Sequence, residues 1–339
     1  MIVGFSLLDV SLAASTPMIL PDVISMAIKN GKSLNDARAT FYTAQADLTA
    51  KKNDPDTLVV QLQQAQYAVD LAKLKVTFAR LQVAQDALNN AVALMEGQNA
   101  VKTNAAQSAL DSRNLTVAQA KLAAKNATAV DVANAQNAYN TSLQNLNNAK
   151  AQIPVLVARL AQSMGSSSND IVIGDYPKPN VWNIVLTDLQ QNLFERVPTV
   201  VQAQQSVALS ELNVQLSDND WTPKRTLEDQ KTALETGKRA LSAAQSDALT
   251  ALRDSYRSAE DAYKRLQISQ QSLETTQKTF NADTVRYTSG TISKVQLQQS
   301  EVAAINAQSN LDKAVGTYFK ALVNLSVSSG RDITGWIKE

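Results

Sequence analysis

The chain has 339 residues, 32 Lys and Arg against 31 Asp and Glu, a net charge of +1, and neither Cys nor His. A charge this balanced, with no dense Lys/Arg cluster, excludes the basic face through which nucleic acid is bound. The inventory also excludes disulfides, thiolate chemistry, lipid attachment through Cys and imidazole metal ligands. The hydrophobic share of 44% comes mostly from Ala, Leu and Val, and only 5% of the residues are aromatic. That composition suits long helices in close contact, not a compact enzyme with a deep pocket. There is no P-loop, dinucleotide fingerprint or nucleophile elbow, and the carboxylates are scattered. No catalysis, cofactor or metal is expected.

In chain order, Met1 to Ala14 is apolar and ends in small residues, but Asp9 interrupts it and no Lys or Arg precedes it. Residues 1–19 are read either as the remnant of a signal peptide or as an N-terminal tail. No window of about 18 apolar residues exists anywhere, so no transmembrane helix is predicted. Val23, Ile24, Ala27 and Ile28 predict a short amphipathic helix over Leu20 to Asn30. Ser33 is the predicted N-cap of a second helix, through Ala37, Ala44 and Leu48. Asn53-Asp54-Pro55 should end it.

A long helix follows. Leu62, Val69, Val76 and Val83 are spaced by seven, and so are Leu74, Leu81, Leu88 and Met95. Two heptad series on one helix give two contact seams, so it should pack against neighbours on two sides. Gly97 is expected to loosen it, and Ala105, Ala109, Leu115 and Leu122 to continue its seam. Lys125-Asn126-Ala127-Thr128 forms a turn. A return helix should run from about Val130 to Met164, kinked at Pro154. Gly165 to Asn169 is a break, and at most a short strand is expected near 171–173.

The second half repeats this plan. A short helix is predicted over Leu186 to Glu195, and another from Pro198, a suitable first-turn residue, to Leu216. Asp218 to Pro223 breaks it. Leu227, Leu234, Leu241 and Ala248 form one heptad series, and Leu252, Ala259, Leu266, Leu273 and Phe280 another. Thr288-Ser289-Gly290-Thr291 is the second turn, and a return helix runs from about Ser293 to Leu325.

The likeness of the halves is also residue by residue. Val130, Leu146, Ala149, Leu160 and Gly165 recur 165 positions later, as Val295, Leu311, Ala314, Leu325 and Gly330. Leu20, Asp22 and Ala37 recur 166 positions later, as Leu186, Asp188 and Ala203. The period is too long for a solenoid of short units. The predicted fold is all-α: duplicated long antiparallel helical hairpins, the kind of subunit from which a coiled-coil α-barrel is built. The hairpin repeats occupy 20–165 and 186–330, with a linker over 166–185 and a C-terminal tail over 331–339. Each outgoing helix of about 65 residues would be roughly 100 Å long.

The second turn carries a more specific signal. Phe280 to Ser293, with Tyr287, Thr288, Ser289, Gly290, Thr291 and Ile292 between, resembles the turn motif of the outer-membrane efflux (TolC) family. Leu297, Ala303, Ala307, Leu311, Ala314, Tyr318, Ala321, Leu322 and Leu325 up to Gly330 resemble its return helix. Leu20-Pro21-Asp22-Val23, with Ala27 and Asn30, resembles its opening helix. The resemblance covers nearly all of residues 20–330. It implies a homotrimer whose two hairpins per subunit form a twelve-helix periplasmic tunnel. It also implies tip turns that meet a periplasmic adaptor and an inner-membrane pump, and a location in the cell envelope, periplasmic or associated with the outer membrane.

Two departures stand beside it. The family's membrane β-hairpins would lie at Asn53 to Thr57 and at Asp218 to Thr226, around Asp54, Pro55, Trp221 and Pro223. A membrane hairpin needs two strands of about 9–11 residues, and neither gap can hold one. At the tips, Lys121, Asn126, Asp131, Arg286, Tyr287 and Gly290 are the candidate docking residues, with Arg286 equivalent to Lys121 in the repeat. The second return helix has Gln296, Gln298 and Gln299 where the family has carboxylates and Ile292 where it has a basic residue, so an ionic latch is not expected. Asp131 has a plainer role open to it, stabilising a helix N-terminus. Trp182, Trp221 and Trp336 lie near segment ends, where an aromatic ring can seal a helix terminus. Trp221 could instead meet a membrane interface.

The function expected is a passive conduit of a TolC-like export system. The alternative is a non-conducting scaffolding rod of the envelope, with contact to the outer membrane or another envelope layer. A third reading is a trimmed soluble core of such a protein.

Overall fold

A computed structural model describes residues 17–166 and 171–337. Met1 to Ala14, read above as leader or tail, and part of the 166–185 linker lie outside the described residues. Within them, nine helices follow one another: α1 (Leu20–Asn30), α2 (Lys32–Asn53), α3 (Val59–Ala123), α4 (Ala129–Ser163), α5 (Leu186–Gln190), α6 (Leu193–Arg196), α7 (Pro198–Ser217), α8 (Lys224–Thr288) and α9 (Lys294–Ser329). The two outgoing helices, α3 and α8, have 65 residues each. The fold is all-α, as the periodicity predicts. The 171–173 segment contributes only an isolated parallel bridge between Met18 and Ile173.

Several local expectations are corrected. Gly31, not Ser33, is the N-cap of α2, and no side chain caps it. The predicted 186–195 helix is two pieces, α5 and α6, because Asn192 takes the left-handed conformation at φ 55° between them. Gly97 does not loosen α3, which is continuous through it. A Cβ there would lie 2.6 Å from Leu156 Cδ1, so the glycine lets α3 and α4 approach closely. Pro154 lies inside α4, which runs on past it to Ser163, at the position where the sequence predicts a kink. Ala105 and Ala109 are exposed; the buried seam of that stretch uses Ser108, Leu110 and Leu115. Trp221 seals nothing, being 93% exposed.

The helices form a row. Near the tips, α4 packs on α3, α3 on α9 and α9 on α8, giving the order α4–α3–α9–α8. Towards the other end the order is α2–α3–α7–α8. Thus α2 and α4 follow one another along α3, and α7 and α9 follow one another along α8. The helix α3 lies between neighbours on both sides throughout. That is the physical reason for its two apolar seams, of which Val83, Leu81, Leu88 and Met95 are buried. Ala65, Ala72 and Ala79, again seven apart, are buried as well. Small residues there let helices sit close.

The halves are tied across α3 and α9. Asn99 Nδ2 donates to Asp312 Oδ2 at 2.9 Å, Gln85 to Asn324 at 3.3 Å, and Lys320 pairs with Glu96 at 3.5 Å. Gly316 marks the closest approach: a Cβ there would lie 2.7 Å from both Val92 Cγ1 and Tyr176 Oη. Around this level runs an aromatic cluster. Trp182 meets Tyr256 and Tyr263, and Phe319 meets Tyr176, Tyr318 and Trp336. The Tyr256 hydroxyl donates to the Ile184 carbonyl at 3.0 Å, which fixes the linker on α8.

Candidate functional site

The tip turns have one backbone design, written twice. At the first, the Asn126 N–H donates to the Lys121 carbonyl at 2.8 Å and Lys125 N–H to the Leu122 carbonyl at 2.9 Å. At the second, Thr291 N–H donates to the Arg286 carbonyl at 2.9 Å and Gly290 N–H to the Tyr287 carbonyl at 2.9 Å. This pair of bonds closes a helix C-terminus through one left-handed residue. That residue is Lys125 in the first tip (φ 58°) and Gly290 in the second (φ 75°).

The return helices start alike too. Thr128 N–H donates to Asp131 Oδ2 at 2.8 Å while Asp131 N–H donates to the Thr128 hydroxyl at 3.2 Å. Ser293 and Gln296 exchange the same two bonds, at 2.8 and 3.2 Å. Each pair satisfies donors that a helix N-terminus otherwise leaves open. The bonds from the Thr128 backbone, then its hydroxyl, hold the Asp131 carboxyl below the usual carboxylate range; the nearby Lys121 adds to this, and slight desolvation opposes it. The helix-stabilising role weighed for Asp131 is therefore present in the single chain.

No ionic latch joins the two tips within the described residues. Arg286 pairs with Asp283 on its own helix at 3.1 Å. Lys294 stands over the Tyr287 ring, 5.1 Å from its centroid. Lys121, Asn126, Asp131, Arg286, Tyr287 and Gly290 are all exposed. The fold brings Lys121, Asn126 and Asp131 to one tip and Arg286, Tyr287 and Gly290 to the other.

The far end of the bundle confirms how little room the gaps offer. Residues 54–58 join α2 to α3, and residues 218–223 join α7 to α8. Asp54 accepts from Asp56 N–H at 3.0 Å, and Asn219 Oδ1 accepts from Trp221 and Thr222 N–H at 2.9 and 3.0 Å. Both are tight turns. Asp54, Pro55, Trp221 and Pro223 thus lie in two matching reversals that contain no strand.

The margins of the row carry a feature that the heptads did not expose. On α4, Val130 is 66% and Val155 52% exposed; on α8, Ile268 and Val285 are each 67% exposed. Both helices stand at the ends of the row, each with a neighbour on one side only. The signal was present as apolar residues off the main seam. It could not be read without knowing which helices lie outermost.

By sequence, the chain matches no protein-family profile and no curated protein. Its fold does match solved structures. A membrane protein from Pseudomonas aeruginosa superposes with a TM-score of 0.70 at 12% identity, over 92% of this chain and 90% of that one. The Campylobacter jejuni CmeC outer membrane channel gives 0.68 at 11% identity, over 92% and 85%. The Vibrio cholerae outer membrane protein VceC gives 0.66 at 13% identity, over 92% and 96%. The resemblance carried by the tip turn and the duplicated hairpins holds in three dimensions as a likeness of fold.

Proposed function

We propose that this chain is the tunnel-forming subunit of a TolC-like export system in the cell envelope. Three copies would close edge to edge, the α4 margin of one against the α8 margin of the next. The single observation that carries this reading is the open row with an apolar margin at each end. The two margins are different surfaces, so the contact is head-to-tail. Such contacts close into a ring when the rotation allows it. Four helices across each copy would then give twelve around the passage. The wall would act by shape and polarity alone, without catalysis.

The tips are the proposed docking points for a periplasmic adaptor and an inner-membrane pump, through Lys121, Asn126, Arg286 and Tyr287. Trp221, at the opposite end, is the side chain proposed to meet the outer membrane or another envelope layer. The CmeC structure is that of an outer membrane channel, which supports the export reading. The two tight turns at 54–58 and 218–223 favour the second reading, a rod that spaces or holds envelope layers without conducting.

The absence of native cysteine makes the assembly test clean. Val130 lies one residue into α4 and Val285 three residues before the end of α8, so both sit within about 5 Å of the tips along the helix axis. The double variant Val130→Cys, Val285→Cys should oxidise to a covalent ladder that ends at three chains. Crosslinks confined to single chains would contradict the edge-to-edge closure. In cells, deletion with loss of export supports the conduit, whereas altered envelope spacing with export intact supports the rod.

A further inference from the structure

The end of the row opposite the tips gathers apolar side chains that the fold leaves uncovered. Gln205 Nε2 donates to the Tyr67 carbonyl at 3.2 Å, which sets α7 beside α3. At 1.5 Å per residue, Val59 stands about 12 Å beyond that bond along α3, and Leu216 about 17 Å beyond it along α7. The two residues therefore reach the same end within one helical turn, and Trp221 stands on the reversal that follows α7. Leu58, Val59 and Leu216 are each more than half exposed, and Trp221 almost wholly so. Both reversals contribute, so the surface is shared between the two halves. The backbone under the Trp221 ring is fixed, because Trp221 N–H and Thr222 N–H both donate to Asn219 Oδ1.

The charges at this end are balanced. Residues 51–59 and 216–225 contain the cations Lys51, Lys52, Lys224 and Arg225 and the carboxylates Asp54, Asp56, Asp218 and Asp220. The carboxylates lie in the reversals, beside the apolar side chains. The cations lie further back, in the last turn of α2 and the first turn of α8, where Lys51 also pairs with Asp47 at 2.9 Å. Carboxylates so placed resist entry into hydrocarbon. Tryptophan, in contrast, favours the level where headgroups meet acyl chains. Headgroups form a layer of roughly 5–8 Å on each side of the hydrocarbon. A headgroup that carries both an ammonium and a phosphate offers a partner to each kind of charge at this end. A purely anionic surface would attract the cations and repel the aspartates.

We propose that this end adsorbs to the headgroup layer of a zwitterionic phospholipid leaflet, with Trp221, Leu58, Val59 and Leu216 as the buried contacts. The lipid leaflet is then the layer that Trp221 meets, a choice that rests on the placing of this end against an envelope layer. The contact is peripheral: the chain touches the membrane here without crossing it. Edge-to-edge closure of three copies would set three such ends side by side, which multiplies the hold on one plane.

Flotation of the full chain with vesicles of phosphatidylcholine and phosphatidylethanolamine reads the contact directly. The native chain should float with them. Added salt, or phosphatidylglycerol mixed into the vesicles, should change the bound fraction less than about twofold, because the end carries no net charge to screen. Trp221→Ser should lower the partition at least about tenfold, and the pair Leu58→Ser, Val59→Ser by several-fold. Serine serves as an N-cap at position 58, so α3 keeps its start. Val181→Ser, at an exposed valine of the linker, should change nothing. A native chain that does not float, or that floats only with anionic vesicles, would overturn the proposal, as would binding that Trp221→Ser leaves unchanged. So would a six-chain particle without lipid that Trp221→Ser halves, since this end would then belong to a second copy. Particle mass keeps the readings apart: a three-chain particle that ignores vesicles contradicts the lipid contact alone, and a floating monomer contradicts the closure alone.

Discussion

The helices α3 and α8 are the same element in two copies, equal in length and flanked by the same turns, yet their chemistry has diverged. Inside the row, α3 buries Leu81, Leu88, Leu94 and a long series of alanines. At the margin, α8 buries a shorter set, Ala248, Leu252, Ser255, Ala259, Ala262 and Leu266. It carries instead a series of ion pairs along its own surface: Lys238–Glu235, Lys264–Glu260, Lys278–Glu274 and Arg286–Asp283. Such pairs give a helix a few tenths of a kcal/mol each. The helix α3, with a neighbour on each side, is held by packing, whereas α8 adds local ion pairs to a smaller buried set.

The largest test of that contrast is a buried charge. Leu94→Asp in α3 and Leu266→Glu in α8 should each cost about 4 kcal/mol or more and end cooperative unfolding. Ile268→Glu, at the exposed margin of α8, should leave the chain folded and weaken its assembly. Circular dichroism with denaturant, read beside particle mass, separates the two. A folded, fully assembling Leu266→Glu chain would mean that the α8 seam is wrongly placed.

Next in size are the glycines. Gly165→Ala and Gly330→Ala each meet a left-handed backbone and a neighbour closer than 3 Å, and should cost about 2–3 kcal/mol. Gly290→Ala has the same kind of backbone but nothing within 4 Å. Its cost should be only the conformational part, ~1 kcal/mol. Urea unfolding midpoints would rank them.

Lys125→Gly tests the same principle in reverse. It relieves a non-glycine residue at φ 58° and should stabilise the first tip by ~1 kcal/mol, detectable as a rise in the unfolding midpoint.

The smallest effect is on pH. Asp131 is held below its ordinary value in the folded chain. Its capping contribution is therefore full above the unfolded carboxylate value near 3.9. It is lost as pH falls through the lower folded value. The amide resonances of Thr128 and Asp131 should shift in that acid window, while those of Ser293 and Gln296, whose cap carries an amide, stay in place.

Much of this architecture could be read in the residues. The breaks at Pro55 and Pro223, the turns at Asn126 and Gly290, and the 165-residue repeat place the four long helices within a few positions. Local chemistry decides such features, so they survive without knowledge of packing. The seam expected through Ala105, Ala109, Leu115 and Leu122 departs from the buried face at the two alanines, because a 3.6-residue helix drifts about 20° per heptad against a seven-residue frame. Ala65, Ala72 and Ala79 are buried, but alanine suits an exposed helix as well as a tight contact, so their spacing alone does not mark a seam. The apolar margins were hidden because sequence does not say which helices stand outermost.

The central claim is that the open row closes between chains. Light scattering of the purified chain, across a concentration series with and without mild detergent, tests it most directly. The chain mass is 36.6 kDa. The account predicts a particle of three times that mass, stable to dilution and reduced by Ile268→Glu. A persistent monomer would contradict it, since the margins on α4 and α8 would then stay unpaired and one row of helices encloses no passage.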